Sequence, residues 1–299
     1  MDKAPRYEVI GLRLPIIEPG ADLARLIAEA AERDAGGLRD GDIVVVTSKV
    51  VLKARGEVYR LDEVRPSAAA KAIALLTGKN PVEVELILMA TRDIVAIVPT
   101  SGRLGRLLRK LAADPQAAEE LLRRIPALLI VTTRQGLIAV DGDVDYSNLP
   151  PGHAIAATLD FDEEARRLRA RLEEITGKRI AVVISDTEFN ATGKAGTVDA
   201  AVGSSGITPV AKGFAAPDLY GRPKFGGIDS LVDEAASAAA LLMGQAAEGV
   251  PAVILRGLTY ERSEEGVKDY VLDIRGVGIG TVLRSAVVKL AYRLLYRAK

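Results

Sequence analysis

An α/β (α+β) fold is what the sequence predicts, and three observations predict it. Short runs of Ile, Val, Leu and Ala have the length and β-branched content of buried strands. Between them lie segments whose apolar residues recur at helical spacing. Gly, Pro, Asp and Asn punctuate the junctions, as turns require. At 299 residues the chain can bury a large core, and length alone allows about two domains or one interwoven domain.

Tyr7 to Leu12 reads as a first strand, followed by the loop "LPIIEPG" and an amphipathic helix from about Asp22 to Asp34. "DIVVVTSKVV" is an apolar β-branched run, hence a buried strand, and "KARGEVYRL" is expected to turn back as its neighbour. Ser67 to Thr77 and Pro81 to Ala90 have helical spacing. "DIVAIV" and "ALLIVTTRQGLIAV" read as strands around a charged helical pair, about 103–124. A charged helix from Asp162 to Thr176 precedes "RIAVVISDTEFNATGKAG", a strand expected to end on Asp186 and Thr187. A small-residue helix from about Asp229 to Gln245 and the strand "VPAVIL" follow. Thr281 to Ala298 places Leu283, Val287, Leu290 and Leu294 on one face of a final helix, expected to pack on the core or a dimer. Its basic face, Arg284, Lys289, Arg293 and Arg297, offers membrane attachment as the rival reading.

Lys+Arg and Asp+Glu number 40 each, so no global field draws the chain to nucleic acid or an anionic membrane. Cys is absent, which removes disulfides, thiolate metal sites and a thiol nucleophile, and fits a cytoplasmic protein. The amino terminus has no signal-peptide run, and every apolar stretch is broken short of the roughly 20 residues that span a bilayer. No membrane partner is expected. With 4% aromatic and 27% charged residues, the composition resembles that of heat-tolerant proteins.

Two places put acids beside hydroxyls or amides at the ends of apolar strands. The first is "VDGDVDYSN", with Asp141, Asp143, Asp145, Ser147 and Asn148; the second is Asp186-Thr187. Hard oxygen ligands from two loops, completed by substrate phosphates, are what Mg²⁺ or Mn²⁺ requires. By spacing alone, solvated turns are the favoured reading, because surface Asp-Asn clusters are common turn chemistry. "TGKAGT" is no P-loop, because Glu188 stands where the upstream glycine belongs and Ala195 where Ser or Thr belongs. "GVGIGT" ends on Thr281 rather than glycine and reads as a tight turn. The sole histidine, His153, sits in a Pro-rich loop, and with no Cys it builds neither a zinc site nor a dyad.

In this order, "GLRLPIIEPGADLARLIAEA", "GDIVVVTSKVVLKARG", "VDYSN", "VVISDT", "DLYGR" and "LLMGQAAEGVPAVILRGL" resemble the gamma-glutamyl ligases that add glutamate to the deazaflavin coenzyme F(420)-0. The likeness runs from about Gly11 to Leu258. It implies an intertwined mixed-sheet fold over residues 1–262, carrying the helical insertion at about 103–124 and a helical extension over 263–299. A homodimer is implied, as is a ligase that uses GTP and divalent metal to join L-glutamate to an anionic carboxylate acceptor through an acyl phosphate. By matching motif, Leu14, Pro15, Ile16, Ile17, Ser48, Lys49, Lys53 and Asn148 would contact the nucleotide. Met243, Gly244, Gln245, Ala246, Ala247, Glu248, Gly249 and Val250 would lie along it. Asp145 and Asp186 would share one Mg²⁺ or Mn²⁺, Thr187 and Gln245 a second, with a monovalent cation as a further option. Asp145, Asp186 and Lys53 would carry catalysis, which here is positioning and charge neutralisation and needs neither His nor Cys.

The sequence departs from that pattern after the doublet, where "EFNATGKAG" leaves Lys194 as the only cation in place of the family's arginines. Asp160 to Asp162, "DFD", stands for an aspartate-proline-aspartate, and "KARG" for a lysine-alanine-glutamate-glycine. These departures point to an altered acceptor, with Arg222 and Lys224 as substitute cations. A paralogue acting on another acid and a nucleotide- and metal-binding module without ligase activity are the alternative readings.

Overall fold

In the computed structural model, which describes residues 6–190, 194–272 and 288, the apolar runs pair into three sheets. The largest contains β1 (Glu8–Leu12), β2 (Ile43–Thr47), β8 (Ala181–Phe189), β9 (Thr197–Ser205) and β10 (Ala252–Arg256), in the order β1-β10-β2-β8-β9. Every pairing is antiparallel except β2 with β8. Both faces of this sheet are covered, which is why its central strands are apolar without alternation. Val44, Val46, Val182 and Ile184 pack under α1 (Leu23–Ala35), α2 (Ser48–Arg55) and α7 (Phe161–Thr176). Ile43, Val45, Ala181 and Val183 point the other way, into Val232, Ala235, Ala236 and Ala239 of α8 (Leu231–Met243).

A second lobe is threaded between β2 and β8. It holds β3 (Val58–Arg60), α3 (Ala68–Thr77), α4 (Pro81–Ala90), β4 (Thr91–Pro99), α5 (Gly102–Leu111), α6 (Pro115–Arg124), β5 (Ala127–Thr133), β6 (Ile138–Val140) and β7 (His153–Ile155). β4, β5 and β6 form an antiparallel meander, and β3 pairs with β7. Helix starts fall on side-chain caps: Asp22, Ser67, Asn80, Asp114 and Asp160 each accept a first-turn backbone N–H. Inside this lobe the Lys79 ammonium is wholly buried, 2.7 Å from Glu83 and 3.0 Å from Asp141, and donates to Ala127 O at 3.1 Å. That contact ties α4 to the turn that follows β6.

Three sequence expectations are corrected. The run "DIVVVTSKVV" is not one strand: it ends at Thr47, and Ser48 opens α2. "KARGEVYRL" therefore does not return beside β2; its strand joins β7 instead. The strand carrying Asp186 and Thr187 continues through Phe189 and pairs along its length with β9, an element the sequence pattern did not announce. A Cβ on Gly203 of β9 would meet the Phe161 backbone at 2.4 Å, so the start of α7 sits on β9 only because residue 203 lacks a side chain. Of the "DFD" triplet, Asp160 caps α7, and buried Asp162 accepts N–H bonds from Ser204, Val267 and Lys268. Its acids hold structure. The expected helix at 281–298 lies outside the described residues, Val288 excepted.

At the edge of the core, Arg256 donates through Nε (3.0 Å) and Nη2 (2.8 Å) to Asp42, and also to the carbonyls of Ala35 and Gly37. Both side chains are buried. Breaking one partner of such a pair leaves the other charge unanswered in low dielectric. Asp42→Ala is expected to lower the unfolding free energy by about 3–5 kcal/mol in urea titration, whereas Asp42→Leu combined with Arg256→Met costs clearly less.

Candidate active site

The parallel pairing of β2 and β8 decides where this site forms. Thr47 lies opposite Ser185, the last pair of the parallel ladder, so Ser48, where the chain turns from β2 into α2, comes beside Asp186, which runs on in β8, and Ser48 Oγ donates to Asp186 Oδ2 at 2.6 Å. Because α2 starts at Ser48, its amino terminus, with unpaired N–H groups and positive dipole end, opens at the same point. β9 brings Asp199 opposite Thr187. A cleft of about 1010 Å³ lies over these strand ends.

The loop after β6 forms the facing wall, and its geometry separates three aspartates that the sequence could not rank. Asp141, Gly142 and Asp143 all take positive φ, at 52°, 60° and 55°. Glycine is favoured at 142, where φ is positive and a Cβ would lie 3.2 Å from Ile87 O. Asp141 turns inward and accepts from Leu129 N (2.8 Å) and Lys79 Nζ (3.0 Å), so it holds the loop. Asp143 and Asp145 line the cleft. Asp145 receives Lys49 Nζ at 2.7 Å, Ser147 N at 2.7 Å and Ser147 Oγ at 3.0 Å, while Lys49 also bonds Ser147 Oγ. Asn148, at φ 56°, donates from Nδ2 to Ala246 O at 2.8 Å, and its own carbonyl accepts from Lys53 Nζ at 3.3 Å. The acidic loop is thereby fastened to the segment after α8.

A second group of oxygens lies one strand over. Thr187 Oγ1 is 3.1 Å from both Asp199 Oδ1 and Gln245 Oε1, and Gln245 Nε2 donates to Asp199 Oδ1 at 3.2 Å. Its hydroxyl hydrogen serves one of those acceptors at a time.

Like charges face one another here. Burial, with nearby Asp145 adding to it, pushes the Asp186 carboxyl up to about 6 despite its bonds from Ser48 Oγ and Thr187 N. Burial and the Asp186 charge push Glu188 up to about 8, and its Oε2 is buried without a hydrogen-bond partner. Asp143 is raised well above the ordinary carboxylate range by burial, then by Asp186 and Glu188. Asp199 is raised by burial. Asp145 goes the other way: burial pushes it up, but Lys49 and Ser147 outweigh this and hold it below its usual value. Among the described residues no group of three or more His, Cys, Asp or Glu is arranged to hold a metal by itself. The donors present, paired carboxylates and then a hydroxyl, an amide oxygen and Asp199, are the hard oxygens that suit Mg²⁺ or Mn²⁺ when substrate phosphates complete the shell.

The residues that the family likeness assigns to nucleotide and metal line this one cleft: Leu14 to Ile17, Ser48, Lys49, Lys53, Asp145, Asn148, Asp186, Thr187 and Met243 to Val250. Glu18, Ser147, Asp199 and His153 line it too. Asp199 had one signal, an acid in the small-residue run "TVDAAVGSS", legible only with the β8–β9 register in hand. The substitute cations are not brought in: Lys194, Arg222 and Lys224 line no part of the cleft.

The family model of F420-0:gamma-glutamyl ligase matches residues 11–257, a stretch that contains the whole cleft. Among curated proteins, the chain is similar to coenzyme F420:L-glutamate ligase of Methanopyrus kandleri, at 40% identity over 82% of this chain and 84% of that protein. The ligases of the same name from Methanothermobacter thermautotrophicus and Archaeoglobus fulgidus are each 36% identical over 85% of this chain, covering 91% and 88% of their own lengths.

The raised Asp186 carboxyl has a stability consequence. The unfolded chain ionises it near its ordinary value of 3.8, the folded protein near 6, so its contribution is fully present below about pH 4 and is lost as pH rises through 6. Asp186→Asn removes that ionisation. With chelator present, the variant is expected to gain on the parent by about 1–2 kcal/mol between pH 4.5 and 7.5, water in the cleft having screened part of the full penalty. Urea unfolding at the two pH values measures it; an unchanged difference would refute the burial of this charge.

Proposed function

Because the chain belongs to the F420-0:gamma-glutamyl ligase family, we propose that it forms a gamma-glutamyl amide between L-glutamate and the carboxylate of coenzyme F420-0, using GTP and Mg²⁺ or Mn²⁺. The observation that carries this reading is the convergence, at the only parallel strand pair among the described residues, of Ser48 and Lys49 at a helix amino terminus with Asp186, Asp145 and the 243–250 segment. A carboxylate is a poor electrophile. Its activation requires transfer of the terminal phosphoryl group of GTP to a carboxylate oxygen, with GDP leaving; the glutamate amine then displaces phosphate from the acyl phosphate and loses a proton.

In this reading the phosphates lie against the amino terminus of α2, where its N–H groups, Lys49 and Lys53 answer their charge. Asp145 and Asp186 would hold one divalent ion, and Thr187 and Gln245, steadied by Asp199, a second. Bound there, the metal supplies charge neutralisation on the phosphate oxygens. Leu14 to Ile17 and Met243 to Val250 wall the cleft for the nucleotide base. A homodimer working in the cytoplasm, where GTP and glutamate are supplied, completes the proposal; no helix among the described residues is long and apolar enough to cross a membrane.

Incubating the protein with GTP, Mn²⁺, glutamate and coenzyme F420-0 is expected to give a product heavier by one glutamyl residue in mass spectrometry, with GDP release dependent on both glutamate and acceptor. Asp186→Asn and Asp145→Asn are each expected to lower turnover at least about 100-fold at limiting Mn²⁺. Asp141→Asn should instead lower stability through Lys79. Near-normal turnover in Asp186→Asn, or greater damage from Asp143→Asn than from Asp145→Asn, would refute the assignment of these carboxylates.

A further inference from the structure

The chain is neutral as a whole, yet its charge is not evenly spread. Residues 102–124 hold Arg103, Arg106, Arg109, Lys110, Arg123 and Arg124 against Asp114, Glu119 and Glu120, and α5 by itself has four cations and no acid. Two of the acids are occupied. Asp114 caps α6 by accepting from Gln116 N and Ala117 N, and Glu119 receives Nε and Nη2 of Arg109. That is the one ion pair of the segment among the described residues, so Arg103, Arg106 and Lys110 meet no carboxylate there.

The same segment is poorly covered. It interrupts the β4–β5 hairpin and stands on a narrow neck, where Thr100 N donates to Pro126 O and Thr100 Oγ1 to Ile125 O. A Cβ on Gly105 would lie 2.4 Å from Thr100 O, so α5 sits this close to the neck only with glycine there. Among the described residues of 102–124, Gly105 alone is buried. Leu104, Leu107, Leu108 and Leu111 recur at the spacing of one helix face, and Arg103, Arg106 and Lys110 lie on the opposite one. α5 packs chiefly on α6. Leu104, Ala118 and Leu122 are half-buried, whereas Leu107, Leu108, Leu111 and Leu121 remain between 37% and 61% exposed. Helices of ten residues are marginal in water without a packed apolar face, so these leucines call for a surface to cover them.

Shape and charge decide what that surface is. A partner helix is held in a groove between walls, but α5 has α6 as its chief neighbour, and its leucines form an open strip. A second copy meeting this strip about a two-fold axis would set cation against cation. The chain's own residues 284–297, with Arg284, Lys289, Arg293 and Arg297, carry the same sign. An anionic bilayer answers both features: leucines enter the acyl boundary, while Arg and Lys stems run beside them and deliver charge to the lipid phosphates. We propose that the α5–α6 pair is a lipid-docking element, which lays the leucine face of α5 into the interface of a bilayer rich in anionic phospholipid. It lies on the membrane and does not cross it, ten residues being about half of what a span needs. The cleft takes none of its lining from 102–124, so the docking is independent of the ligase reading.

Because the chain has no Trp, Leu111→Trp puts a single fluorescent reporter on the strip. With vesicles of phosphatidylcholine containing about a third phosphatidylglycerol, at low salt, its emission is expected to shift to the blue and to be quenched by brominated acyl chains. Vesicles of phosphatidylcholine alone should do neither, and high salt should weaken the binding. In co-sedimentation of the full chain with the anionic vesicles, Arg103→Glu/Arg106→Glu/Lys110→Glu is expected to lower partition at least about tenfold, with the circular dichroism spectrum and unfolding midpoint kept. Emission that anionic vesicles leave unmoved overturns the proposal. So does emission already blue before they are added, which would mean that a second copy or another segment covers the strip. Partition undiminished in the charge-reversed variant would put the binding elsewhere, on the cations of 284–297, and overturns it as well.

Discussion

One parallel ladder, β2 against β8, is the constraint on which the rest of the structure depends. Antiparallel strands are closed by a tight turn, but a parallel pair needs a crossover, because the chain must return to the starting end. Here the return takes all the residues between Thr47 and Ala181. The second lobe is that crossover, and the acidic loop at 141–148 hangs from it over the end of the ladder, at Thr47 and Ser185. The ladder thus supplies both the floor of the cleft and, through its long connection, one wall. Its own stability comes from strands that bury both faces, Val44 and Val46 on one side and Ile43 and Val45 on the other.

The scaffold around the cleft and the cleft itself obey opposite electrostatic rules. Away from the site, each buried charge meets its match: Arg256 with Asp42, Lys79 with Glu83 and Asp141, and Asp162 with three backbone N–H groups. At the site, burial raises Asp143, Asp186 and Glu188, the charge of Asp186 adds to the rise of the other two, and an oxygen of Glu188 goes without a partner. Local rules broken where the scaffold obeys them mark a place shaped for something other than stability. A protein can hold such a cluster only where the surrounding packing over-determines it.

Helices were legible where capping residues and periodicity agreed, as at Asp22, Ser67 and Asn80, and strands where Ile and Val ran together. The failures have physical reasons. Val50 and Val51 prolong the apolar run of β2, yet they belong to α2, since a buried helix and a buried strand look alike over so few residues. β9 was not seen because Gly203, Ser204, Ser205 and Asp199 are poor strand formers; β8 beside it and α7 above it override their preferences. The three aspartates of the loop were visible as a group but not individually, for their division of labour depends on three successive left-handed residues. The cleft residues themselves came from the family likeness, and what the fold adds is the adjacency of segments 138 residues apart, Ser48 and Asp186.

Lys49 lies against Asp145 and Ser147. An ammonium that already answers a carboxylate has two possible partners once anything else enters. A cation arriving at Asp145 displaces Lys49, and an anion arriving at Lys49 displaces Asp145; each arrival prepares the cleft for the other. By linkage the assistance is reciprocal, so whatever factor one ligand adds to the second's affinity, the second returns to the first. Under the proposed function, affinities for a cation alone and for an anion alone would misstate what this cleft takes, which would be the two as a pair.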